Sequence, residues 1–380
     1  MQNFRVAAVA ALGALALTLS GCGGSSDAAD SAADTTVEIL EMPEIDDSDG
    51  LVIAGEQVAD AALLKAARDE KLTWYTGSGS ESAELTAARF TAETGVDIEM
   101  TRMPSAKLNE RVLSEAGAGR LGADVVTVTD PVLAEGMAAE GVFVPYTKMP
   151  VHKQLEGMEN VVWDGGTYFT SYYSAYAFAY NTSLVEEADA PQTWEDLLDP
   201  AYKGKVGIVS AGAGGTVQGL AAFQEEQVSK DYWSRLAAQD PRIFDTTSVQ
   251  LEALARGEIE VATAGFNSTY GAEVEGAPVR LVVPDQGMSG TFNMQGLTTT
   301  GKDNPAAQLF MNWTWSKSGQ EFAAAQGFVG ARTDIEQVKT GDYQLPKADD
   351  PSFVVYTPEE AAKKGADIVR RWNQTFGYGG

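Results

Sequence analysis

The chain reads as an α/β protein in which helices cover the faces of mainly parallel sheets. Three observations carry this reading. Short β-rich runs alternate with helical patterns along most of the chain, as parallel strands joined by crossover helices require. Glycine and serine gather where such runs end, at Gly77–Ser80 and Ser210–Thr216, and a helical pattern starts directly afterwards. No short solenoid-type repeat interrupts the alternation.

Taken in order, Lys71–Thr76 is a strand that stops in the turn Gly77-Ser-Gly-Ser80. A helix follows, capped by Ser80 or Ser82 and closed at Gly95. Val96–Arg102 alternates apolar and polar residues like a strand, a helix runs from about Ser105 to Ala116, and Ala123–Thr129 is the next strand. Asp130-Pro131 then reads as an N-cap with proline in the first turn. Further on, Ser174–Asn181, Gly204–Ser210, Glu258–Ala264 and Gly296–Thr300 are strands. Thr193–Asp196 opens a short helix, and Gly214–Gln227 and Ser248–Arg256 are helical. Asn304–Ser316, Ser318–Gln326 and an amphipathic Pro358–Phe376 complete the set of helices.

The first residues bear on the compartment. Arg5 precedes an apolar run, Val6–Leu19, that is too short to span a bilayer and ends at Leu19-Ser-Gly-Cys22. This resembles the bacterial lipobox, which implies cleavage before Cys22 and lipidation of its thiol, hence a secreted lipoprotein on the outer face of the cell membrane. Residues 1–21 are then a signal peptide, and residues 22–50 a lipidated tether rich in Gly, Ser, Ala and acids.

Composition narrows the function. The balance of 27 basic against 54 acidic residues excludes a nucleic-acid partner, because phosphates need a basic surface. With one cysteine, at the processing site, there is no internal disulfide and no multi-thiol metal centre. The single histidine, His152, leaves neither a Ser-His-Asp arrangement nor a histidine zinc site in prospect, and no Gly-x-Ser-x-Gly elbow occurs. The expectation is a binding protein, not an enzyme, with no cofactor and no resident metal.

Five stretches, in order, resemble the type 2 periplasmic solute-binding proteins, in particular the branch of ferric-ion, phosphonate and sugar-phosphate binders. They are Trp74–Gly77 with Phe90–Gly95, Gly122–Val126 with Glu140–Tyr146, Ala179–Asn181 with Pro191–Val206, Gly257–Ala262, and Asn304–Ala307 with Ser318–Phe322. The resemblance implies two lobes joined by crossing hinge strands, with a solute held in the cleft by hinge closure. It places lobe 1 at 51–146 plus 285–335 and lobe 2 at 147–284 plus 336–380. It also implies a monomer that delivers a small molecule to the permease subunits of an ABC importer; a sensory lipoprotein that presents its ligand to a receptor is the alternative from another class.

Carried over by position, the resemblance puts Thr76, Gly77, Ser78, Ser80, Asp130, Tyr173, Gly214, Gly215, Thr216, Phe266, Asn267, Ser268 and Tyr270 in the ligand site. Each also has a plain structural reading: glycine turns, a capping Asp130, aromatics in the core. The two Gly/Ser loops precede helices and suit an anion. Ser210–Thr216 lacks the Lys-Ser/Thr ending of a nucleotide P-loop. Ferric binders of this kind carry adjacent tyrosines where this chain has Asn267 and Ser268, and many carry a histidine at the place of Gly79. An amide and a hydroxyl are poor ligands for ferric iron. An organic anion (phosphonate, phosphate ester or carboxylate) is the expected solute, with ferric ion and a polyamine as alternatives.

Overall fold

Two long strands run through the whole molecule, and the rest of the chain is arranged around them. The computed structural model describes residues 40–379; the signal peptide, Cys22 and the tether up to residue 39 lie outside the described residues. The labelled strands are β1 (Leu72–Thr76), β2 (Ile98–Arg102), β3 (Val125–Val128), β4 (Tyr168–Asn181), β5 (Val206–Val209), β6 (Arg242–Phe244), β7 (Val261–Gly265) and β8 (Met288–Leu297). They form one hydrogen-bonded path in the order β6-β5-β7-β4-β8-β3-β1-β2.

The outer strands are parallel. β1 pairs with β2 and β3 in the first half, and β5 with β6 and β7 in the second. The central pair is antiparallel: β4 and β8 meet from Phe169/Gln295 to Tyr176/Ser289, with a bulge at Asn293/Met294. β3 joins β8 at Val125–Val128, and β7 joins β4 at Tyr176–Tyr180. The two expected parallel sheets are therefore one mixed sheet. The crossing strands are also longer than the sequence pattern indicates, Tyr168–Asn181 instead of Ser174–Asn181 and Met288–Leu297 instead of Gly296–Thr300. Both are buried along nearly their full length, so neither shows the polar alternation of a half-exposed strand.

The labelled helices are α1 (Ser80–Thr94), α2 (Ser105–Gly117), α3 (Pro131–Ala139), α4 (Gly215–Phe223), α5 (Phe266–Val274) and α6 (Pro358–Phe376). α1 ends at Gly95 in the left-handed conformation, φ 77°. α4 stops at Phe223 and continues as a π-turn over Gln224–Val228. The expected helix at Thr193 is a 3-10 turn over Glu195–Leu198, because the Asp196 carboxylate accepts the N–H groups of Gln192 and Thr193 and bends the chain there.

Not all of residues 22–50 is tether. Ile45–Asp46 pairs with Leu51–Ile53, which pairs in turn with Glu56–Ala59. Ala54 and Gly55 both have positive φ, the geometry of a tight hairpin turn. Leu51, Ile53 and Val58 bury this small sheet against the first half. Residues 149–163 also pack on that half: Leu155 and Val161 join its core, and Trp315 donates its indole N–H to the Thr170 carbonyl.

A buried charge cluster fixes the start of the described chain. Arg89 donates to the carbonyls of Leu40 and Glu41 and pairs with Glu93 at 2.5 Å. Glu93, with no exposed side chain, also accepts from Trp313 Nε1 and Ser318 Oγ, each at 2.7 Å. Removing one member strands the others in a dry environment. Glu93→Ala is therefore expected to cost about 3–5 kcal/mol of stability in urea unfolding; a loss below about 1 kcal/mol would contradict the role assigned to this cluster.

Candidate functional site

Parallel strands with covering helices deliver their loops to the carboxyl ends of the strands, where α/β sheets bind ligands. Here six helices follow the six parallel strands: α1, α2 and α3 in the first half, α4, Thr247–Ala255 and α5 in the second. Four of them, α1, α2, α4 and α5, begin at Gly79, Pro104, Gly214 and Gly265 with no side-chain cap. Away from these strand ends, the helices starting at Ala61, Pro305, Lys317 and Pro358 are all capped, by Asp60, Asn304, Ser316 and Thr357. The first N–H groups of a helix carry its positive dipole end and need an acceptor. The two short helices His152–Glu156 and Tyr232–Ala237 also start without a side-chain cap, so among the described residues uncapped starts are four of six at the strand ends and two of six elsewhere.

The Thr76–Ser80 loop is shaped from within. Thr76 is fully buried and its hydroxyl accepts the Ser78 N–H. Gly77 is required by packing, since a Cβ would stand 2.2 Å from Ser105 Oγ. Ser78 is buried, with its hydroxyl 3.1 Å from the Tyr172 hydroxyl. Neither Ser80 nor Ser82 is the cap: Ser80 is the first helical residue and is exposed, and Ser82 Oγ donates back to the Gly79 carbonyl. Arg102, the exposed last residue of β2, donates Nε–H to the Ser78 carbonyl at 2.9 Å, which puts a guanidinium beside this loop.

Asp130 caps α3 by accepting the Val132 N–H at 2.9 Å and stays half-exposed at the strand end. Gly215 is exposed at the start of α4, with Gly214 and Thr216 half-exposed beside it. At α5, Ser268 is exposed and donates to the Gly265 carbonyl, while Asn267 and Tyr270 are half-buried. Tyr270 stands edge-on to Tyr343.

Two expected contacts are core residues instead. Tyr173 lies against Phe292 and Phe353 and directs its hydroxyl at the Asn160 carbonyl. Phe266 has no exposed surface and packs edge-on to Tyr343. Strand parity explains the first: Tyr172 and Tyr176, on the other face of β4, approach the helix starts. Tyr176 lies 3.2 Å from the Cβ position of Gly265. Its phenol is pushed up to about 12 by burial, against the lowering effect of a hydrogen bond with Thr247. Burial also raises Tyr172, so both act as neutral hydroxyl donors and acceptors.

The two halves touch where α1 faces α5. A Cβ on Gly271 would come within 2.8 Å of the Glu81 carboxylate. Burial, followed by the charges of Glu275 and Glu84, pushes that carboxyl above its ordinary range. Sequence reasoning misses Glu81, Arg102, Tyr172 and Tyr176. Arg102 and Glu81 carry no local signature, and the tyrosines need only the correct parity.

A family model described as bacterial extracellular solute-binding protein matches residues 86–351, and the chain belongs to that family. It is accordingly a solute-binding protein and not an enzyme. Spermidine/putrescine-binding periplasmic protein 1 of Haemophilus influenzae is 24% identical over 305 residues, 76% of this chain and 80% of that protein. Among solved structures, iron-bound HitA from Pseudomonas aeruginosa superimposes with a TM-score of 0.60 at 20% identity, covering 80% of this chain and 99% of HitA. AfuA from Actinobacillus pleuropneumoniae, with fructose-6-phosphate bound, gives 0.61 at 21% identity, covering 81% and 99%. These likenesses define the fold, an α/β periplasmic-binding-protein architecture.

Proposed function

We propose that the protein is the capture subunit of an ABC-type importer and that its solute is a small organic anion: a phosphonate, a phosphate ester or a carboxylate. The four uncapped helix starts brought together at the strand ends carry this reading, and Arg102 adds a positive charge beside one of them. Oriented N–H groups and a guanidinium stabilise a bound anion without side-chain rearrangement. In this reading the two halves are lobes that close on the solute about β4 and β8, each lobe supplying two of the free helix starts. The importer partnership is supported by family membership and by a relative in Sinorhizobium fredii named a probable ABC transporter periplasmic-binding protein.

Ferric ion is the weaker reading. Asn267 and Ser268 offer an amide and a hydroxyl, and His152 lies against Phe169, near Glu156. Two observations favour a cation: Glu81 stands at the start of α1, and a polyamine-binding protein is among the relatives.

The sign of the solute can be read directly. Calorimetric titration with methylphosphonate, a sugar phosphate, citrate, ferric citrate and spermidine should show binding of an anion. Arg102→Gln should weaken it about tenfold or more, and Glu81→Gln should tighten it about two- to fivefold. Spermidine binding, with the two variants shifting it in the opposite directions, would sink the anion reading.

We also propose that Cys22 carries the lipid that holds the protein at the outer face of the membrane, on the strength of Leu19-Ser-Gly-Cys22. Cys22→Ser should abolish metabolic labelling with palmitate and release the protein from the membrane fraction. Unchanged labelling would rule the site out.

A further inference from the structure

The part of the chain matched by the family model ends at residue 351, and α6 lies beyond it. This helix is fastened to the second half. Ile368 and Trp372 enter that half's core, Lys364 pairs with Glu226 at 3.0 Å, and Arg371 pairs with Glu225. Gly365 faces α4, with the Gln218 amide oxygen 2.5 Å from where its Cβ would stand. α6 also packs against α3, which belongs to the first half, and so spans both halves on this side of the sheet.

Between α3, α4, α6 and β8 lies a cavity of about 290 Å³, room for on the order of ten water volumes. Pro131, Ala222, Phe292 and Ala361 give it apolar walls. Gly215, the first residue of α4, lines it as well, so the cavity reaches one of the uncapped helix starts. Thr291, 9% exposed, lines its β8 side. The Thr291 hydroxyl is not one of the fully buried unpaired atoms, so it faces the open space, and a ligand group that reaches it gains a hydrogen bond of ordinary strength. Asp130 also borders the space, with its carboxylate engaged in capping α3.

We infer that this compartment, closed by a helix outside the matched family region, takes the body of the solute, which is mainly non-polar and carries one hydrogen-bonding substituent against Thr291. The inference rests on the anion reading: the charged head sits at the helix starts, and the body extends from Gly215 under α6. α6 is then the element that sets specificity, and Ala361 and Thr291 are specificity residues.

The test is a calorimetric titration of the whole purified protein with methyl-, n-butyl- and 4-hydroxybutylphosphonate. Affinity should rise by about fourfold for each methylene buried, and the hydroxylated chain should bind more tightly than its size alone gives. Thr291→Val, which keeps the shape and removes the hydroxyl, should lower 4-hydroxybutylphosphonate affinity about three- to tenfold and leave n-butylphosphonate unchanged. Ala361→Phe, checked for an unaltered melting temperature, should abolish the gain with chain length and retain methylphosphonate. Equal affinity for all three phosphonates in the unaltered protein would overturn the inference and leave the anion reading standing. Equal weakening of all three by Thr291→Val would overturn the placement of the body. Binding of none would overturn the inference for phosphonates, and the anion reading would fall with it only if the sugar phosphate and citrate also fail to bind.

Discussion

The antiparallel pairing of β4 with β8 is the constraint on which the rest depends. Each strand takes part in both halves: β4 pairs with β8 and then with β7, and β8 pairs with β4 and then with β3. The first half is thereby reached twice in the chain, and its parallel strands end opposite those of the second half. Burial of both strands makes this pairing costly to disrupt. The two faces of β4 feed separate cores, with Tyr173, Ala175, Ala177 and Ala179 in one and Tyr176, Phe178 and Tyr180 in the other.

Given that frame, the chemistry of the site follows from what the strand ends present. At four of the six other helix starts among the described residues the chain supplies Asp, Asn, Ser or Thr as a cap, whereas four of the six starts at the strand ends go without one. A side chain that satisfied those N–H groups would compete with a ligand for them. The missing caps are thus a cost to the free protein that a bound acceptor offsets. Glu81 adds a second unfavourable contribution at the same place, since its carboxyl is partly desolvated and near two other acids.

Much of the first half is legible in the sequence because its signals are local. Gly95 closes a helix, Asp130-Pro131 opens one, and Val96–Arg102 shows its alternation. The loops at Thr76–Ser80 and Gly214–Thr216 lie at strand ends for the same local reason. The crossing strands are legible only in part, because a strand buried on both faces has no polar partner positions to mark its limits. The consequence reaches the site: without the start of β4 its parity is open, and Tyr173 stands in the expected set where Tyr172 approaches the loop. The bulky residues at 172, 176, 178 and 180, opposite the alanines at 175, 177 and 179, hold the parity once the strand is known to be continuous. Contacts between distant segments, such as Glu81 with Gly271 or Arg102 with Ser78, have no counterpart in local pattern. The hairpin over Ile45–Ala59 is hidden by the acidic, glycine-containing composition around it.

The central claim is that the uncapped helix starts form an anion site, and an anion visible by its own scattering tests it most directly. Crystals soaked in selenate should give an anomalous difference peak within hydrogen-bonding distance of the backbone at Ser80 or Gly215, with Arg102 as a neighbour. A peak there would establish the anion site whatever the natural solute proves to be. Well-ordered peaks only at surface lysines and arginines, with none at the helix starts, would contradict the account.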